Sequence, residues 1–122
     1  MKLWHLTPDT PRSPYRVSPD ERVTIYVGTW PIEAGQSVEV VYAVEHPDRT
    51  SERHIVDAAW QVNANGNSYW CAPIGPFNKG DLVNYYAQGH APGSVALSDA
   101  SSFHVGTQSL SGAEEDRVDP TV

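Results

Sequence analysis

Cysteine is nearly absent from this 122-residue chain, which holds only Cys71. A single thiol excludes an intrachain disulfide framework and a cysteine-rich zinc site. No apolar run reaches the length of about 18 residues that a helical membrane span needs. No apolar segment follows Lys2 in MKLWHLTPDT, so no secretory signal is read there. The default expectation is a cytoplasmic protein, or a secreted one if the chain is a processed fragment. Basic residues are scarce too: 8 Lys and Arg stand against 15 Asp and Glu, for a net charge of −7. That balance argues against nucleic acid, whose phosphates need clustered cations, and against an anionic membrane surface.

Catalytic and metal patterns are also missing. The five histidines, His5, His46, His54, His90 and His104, form no HxH, HExxH or Cys-His pair, so no metal site is expected. His46 and His54 are placed to meet across a hairpin mouth near Asp48, as solvated loop residues. No GxSxG elbow activates a serine. Asp57, Asp81 and Asp99 read as strand-end and turn carboxylates, and Cys71 as a buried thiol beside Trp70. The chain is therefore read as a non-enzyme without a cofactor.

What is present is turn chemistry and alternation. Ten prolines and nine glycines oppose long helices. Residues 1–22 form a proline-rich arm whose Leu3, Trp4, Leu6, Tyr15 and Val17 need cover, either on its own domain or on a partner. Val23–Val27 and Ser37–Glu45 alternate with period two, as strands do. HPDRTSERH (residues 46–54) reads as a polar loop or hairpin end. Ile55–Val62 reads as one strand with Trp60 inward. Asn65-Gly66 is a type I′ hairpin signal, because both residues tolerate positive φ. Ser68–Ala72 should then return antiparallel. Asp81–Gln88 follows, Gly89–Gly93 turns the chain, and Ser102–Val105 is a last strand. The expected core is Val23, Ile25, Val38, Val40, Tyr42, Trp60, Val83, Tyr85 and Phe103, with Ile74 and Phe77 plugging one end. Residues 107–122 form an acidic tail of net charge −3, expected to be flexible.

About seven short strands with turns between them predict an all-β, immunoglobulin-like antiparallel sandwich over residues 23–106. The order of landmarks adds to this: Trp60, the NGN turn, Tyr69-Trp70, Gly80-Asp81-x-Val83-x-Tyr85-Tyr86, then Phe103-x-Val105. This order resembles the fibronectin-III-like, early-set immunoglobulin-like accessory modules of glycoside hydrolases. The resemblance covers about Val23 to Gly106 and implies a sandwich that binds glycans, packs on a neighbour or spaces domains.

Two functions follow from the exposed aromatics. The first is a non-catalytic interaction module that docks on another protein as a subunit of a larger assembly. The alternative is a carbohydrate-binding module, in which rings stack on sugar C–H faces and amides hold hydroxyls. Either would use Tyr26, Trp30, Tyr69, Trp70 and Tyr86, and the second adds Asn65 and Asn67.

Overall fold

The computed structural model describes residues 1–5 and 12–106. The acidic tail, residues 107–122, and Leu6 of the arm lie outside the described residues. Among the described residues there are ten strands and no helix, hence none long and apolar enough to cross a membrane. They are β1 (Lys2–Trp4), β2 (Arg12–Ser13), β3 (Val23–Trp30), β4 (Ser37–Glu45), β5 (Ser51–Asp57), β6 (Ala59–Ala64), β7 (Asn67–Ile74), β8 (Leu82–Ala91), β9 (Ser94–Leu97) and β10 (Ser101–His104).

The strands form two five-stranded antiparallel sheets. The first has the order β1-β3-β7-β6, with β2 also on β3; the second has the order β10-β8-β4-β5, with β9 also on β8. Set side by side, these orders follow the ABED and GFC arrangement of an immunoglobulin-like sandwich. Alternation decides which side chains meet between the sheets. From the first sheet come Val23, Ile25, Val27, Trp70, Ala72 and Ile74; from the second come Val38, Val40, Tyr42, Val44, Val83, Tyr85, Ala87 and Phe103. Phe77 closes one end, edge-on to both Tyr42 and Phe103. The Trp70 indole donates to the buried Thr29 hydroxyl at 2.9 Å, so its one polar atom is satisfied.

The Asn65-Gly66 hairpin forms as expected, with φ of 55° and 81° and Ala64 opposite Asn67. Other expectations are corrected. Ile55–Val62 is not one strand. It is the end of β5 in the second sheet and the start of β6 in the first, and the chain crosses between sheets at Ala58. The polar run 46–54 is a loop only to Thr50; its second half is β5, bonded along its length to β4. Residues 89–91 continue β8, and Pro92-Gly93 turn into β9, a strand that sequence alone did not suggest.

Trp60 is the main correction to the core. It sits opposite Trp70 in the ladder, yet it is 53% exposed whereas Trp70 is 9% exposed. β6 is the outermost strand, it bulges between Trp60 and Val62, and all six of its residues are exposed. The indole instead donates to Asn63 Oδ1 at 2.9 Å. Cys71 is also corrected: it is half-buried, on the outward side of β7.

The described part of the arm lies on its own domain. β1 and β2 pair with β3, and Val17 bridges Val105 in the core. His5 and Arg12 are buried with Tyr85. His5 Nδ1–H donates to the Tyr26 carbonyl at 2.9 Å, so Nε2 accepts from the Tyr85 hydroxyl at 2.7 Å. Arg12 donates to that same hydroxyl at 3.0 Å, and its guanidinium lies 4.2 Å from the Tyr15 ring centre. This neutral tautomer is what burial favours, and the His5 pKa is lowered accordingly, chiefly by desolvation.

Candidate functional site

The sandwich leaves two outward sheet faces, and they differ in chemistry. On the first sheet, β3 alternates outward through Thr24, Tyr26, Gly28 and Trp30. The ladder sets Gly28 beside Trp4 of β1 and Tyr69 of β7, Trp30 beside Lys2, and Tyr26 beside Cys71. Cross-strand partners share a face, so Trp4, Tyr26, Trp30 and Tyr69 stand together. Trp30 is 49% and Tyr26 36% exposed. Gly28 makes this arrangement fit: a Cβ there would overlap the Trp4 indole, so only glycine lets that ring lie across the strand. Lys2 Nζ sits 5.7 Å from the Trp30 ring centre. Asn67 Nδ2 donates to the Tyr69 hydroxyl at 3.1 Å.

Of the seven residues picked from sequence, Tyr26, Trp30, Asn67 and Tyr69 therefore come together. Asn65 is at the tip of the β6–β7 hairpin. Trp70 is inside the sandwich and is corrected from a surface candidate to a core residue. Tyr86 faces outward from the other sheet, where Arg53 donates to its hydroxyl at 3.2 Å. Sequence reasoning left Trp4 in the arm, because nothing local to it signals that β1 will pair with β3. The strand expected to end at Val27 runs on to Trp30, which puts Gly28 inside β3 under the Trp4 ring.

The outward face of the second sheet carries aliphatic side chains. Ile55 is 59%, Leu97 61% and Val95 63% exposed. Register places them beside Val41, Gln88 and His90 respectively. Polar groups lie among them: Gln88 and His90 both donate to Glu39 Oε1. These two contacts, His90 foremost, lower the Glu39 pKa.

A third cluster lies at one end of the sandwich. Tyr42, His46, Glu52, His54, Phe77 and Asp81 line an open cavity of about 250 Å³. His46 faces the buried Asp81 at 2.8 Å through Nδ1 and Glu52 at 2.7 Å through Nε2. Only the imidazolium donates from both nitrogens, so its pKa is raised, first by Glu52 and then by Asp81. His54 donates to the other oxygen of Glu52 at 2.6 Å. His46 and His54 thus meet through Glu52, while Asp48 instead accepts from Thr50. The cluster satisfies itself. Among the described residues no three or more His, Cys, Asp or Glu are placed to hold a metal ion.

Residues 5–70 match the family model described as Lmo2446-like, N-terminal, which spans more than half of the chain. The chain belongs to this family. It is 35% identical over 85 residues to the isomaltosyltransferase of Sporosarcina globispora, covering 70% of this chain and 7% of that one. Among solved structures it is similar to the cycloalternan-forming enzyme of Listeria monocytogenes in complex with a pentasaccharide substrate. There the TM-score is 0.68 at 35% identity, covering 77% of this chain and 9% of the other. It is equally similar to the lmo2446 protein of Listeria monocytogenes EGD-e in complex with glucose, magnesium and calcium, with the same TM-score, identity and coverage. This family member thus spans less than a tenth of the relatives it matches, as a small N-terminal sandwich. The accessory-module resemblance read from the order of Trp60 to Val105 agrees with that placement.

Proposed function

We propose that this Lmo2446-like N-terminal domain is a non-catalytic accessory module of a carbohydrate-active enzyme, held by docking on the remainder of that enzyme. The observation that supports this most is proportion: the matching segment is 7% of an isomaltosyltransferase and 9% of a cycloalternan-forming enzyme. A fold shared with so small a part of an enzyme carries over a place in the assembly, not the chemistry. The exposed Ile55, Val95 and Leu97, set among charged and amide groups, have the mixed apolar and polar character of a protein interface.

The test is complementation. The isomaltosyltransferase of Sporosarcina globispora is prepared without its matching segment, and this chain is added separately. Docking predicts co-elution of the two and a raised melting temperature of the truncated enzyme. Separate elution with an unchanged melting temperature overturns docking. Transfer or hydrolysis of oligosaccharide by this chain alone overturns the non-catalytic assignment.

A second reading, direct binding of carbohydrate, is favoured by one observation: the shared outward face of Trp4, Tyr26, Trp30 and Tyr69. Rings held side by side on a sheet suit the flat C–H faces of sugars.

A further inference from the structure

We propose that the outward face of the first sheet is a stacking platform for a glucose-built oligosaccharide, with Tyr26 and Trp30 as its exposed rings. This deepens the carbohydrate-binding reading above and rests on it. The sandwich has no need of these rings for its interior, since Tyr42, Trp70, Phe77, Tyr85 and Phe103 already fill it. Large rings left in water on a sheet face need another reason.

Their spacing fits a chain of sugars better than one sugar. Tyr26 and Trp30 are four steps apart along β3, which is about 13 Å in an extended strand. Between them, Gly28 contributes no side chain, so the Trp4 indole from one neighbour covers the middle of the face, with Tyr69 at the same register on the other. The result is a face with rings at Tyr26, Trp4 and Trp30 along β3, and Val62 beside Tyr69 at its far edge.

The polar groups beside this run are of the kind that hydroxyls need. Asn67 spends an amide N–H on the Tyr69 hydroxyl oxygen. Among the described residues this leaves the Asn67 carbonyl to accept and the Tyr69 O–H to donate outward. The Lys2 ammonium lies against Trp30 and adds donors at one end. Carboxylates are absent from these four ring positions and their partners, which suits a neutral ligand.

The second sheet's outward face serves as the internal control. Ile55, Val95 and Leu97 are at least as exposed but offer branched methyl groups instead of flat rings. They suit a protein surface, and a sugar gains little from them.

The test uses the whole chain and three probes: soluble dextran, isomaltotriose and maltoheptaose. Affinity electrophoresis in gels with dextran, and calorimetric titration with the two oligosaccharides, should show binding to at least one. Trp30→Ala and Tyr26→Ala should each weaken it roughly tenfold or more. Ile55→Ser should leave it unchanged, and all three variants should still melt cooperatively within several degrees of the parent. No binding to any probe overturns the platform, and so does binding that survives the Trp30→Ala/Tyr26→Ala double variant. If the double variant instead stops co-elution with the truncated isomaltosyltransferase, the face is a protein interface. The platform then fails while the accessory-module reading stands. If the unaltered chain binds neither sugar nor enzyme, both fail.

Discussion

The two outward faces of this sandwich are built on the same principle and finished differently. Each is one side of a five-stranded antiparallel sheet whose other side makes the core. One presents Trp4, Tyr26, Trp30 and Tyr69 around a glycine; the other presents Ile55, Val95 and Leu97 among Glu39, Arg53, Gln88 and His90. Stability constrains neither strongly, because both lie outside the core. The first face is richer in rings and the second in branched aliphatics, with Val62 beside Tyr69 and Tyr86 beside Val41 as the exceptions.

The sharpest way to break the contrast is to show that the ring face is core in disguise. Trp70→Ala, on the inward side of the first sheet, should cost about 3–5 kcal/mol by urea unfolding, as expected for a buried aromatic. Trp30→Ala and Trp60→Ala, both about half exposed, should cost less than about 1 kcal/mol. Equal losses at positions 30 and 70 would end the distinction between the faces. Next in size is Gly28→Ala. The added methyl forces the Trp4 ring off its seat, for about 1–3 kcal/mol of overpacking. Sugar binding should fall with it, because the floor of the platform is lost. Ile55→Ser and Leu97→Ser should change stability by no more than about 0.5 kcal/mol. They should nonetheless abolish co-elution with the truncated isomaltosyltransferase.

The smallest effects come from two histidines and have opposite signs. His46 has a raised pKa from Glu52 and Asp81. The folded state holds its proton more tightly, so its contribution is complete below the ordinary value of 6.5 and fades as pH rises through the raised value. Glu52, with a lowered pKa, adds stability above its ordinary 4.5, lost as pH falls through the lowered value. His5, lowered by burial, does the reverse of His46: its contribution is present above 6.5 and is lost as pH falls through the lowered value. Thermal melts from about pH 5 to about pH 9 should show His46→Gln flattening the alkaline decline. An unaltered alkaline limb in that variant would refute the imidazolium bridge.

Much of the fold was legible because alternation is local. Val23, Ile25, Val38, Val40, Tyr42, Val83, Tyr85 and Phe103 could be assigned inward from period two alone, and each is buried. Asn65-Gly66 announced its own hairpin. Trp60 defeated the same reasoning. Its inward register is real, but an outermost strand has too little opposite it to cover a large ring. The crossing at Ala58 was hidden for a related reason, since the alternating pattern runs through 55–62 without a break while the pairing partner changes. The site was legible in part. Tyr26 was chosen because it alternates away from the core, and Trp30, Tyr69 and Asn67 because they lie near bends and turns. That all four share a face with Trp4 could not be read from any of these windows.

By itself the sequence determined that the chain is an all-β sandwich, where most of its strands run, and which residues alternate into the core. It could do so because strand geometry links each side chain's direction to its immediate neighbours. Only the tertiary structure decided which rings stand together, that Trp70 and not Trp60 fills the interior, and that the arm adds Trp4 to the platform. Those outcomes depend on which strand lies beside which, and pairing between residues as far apart as Trp4, Gly28 and Tyr69 is set by the packing of the whole chain.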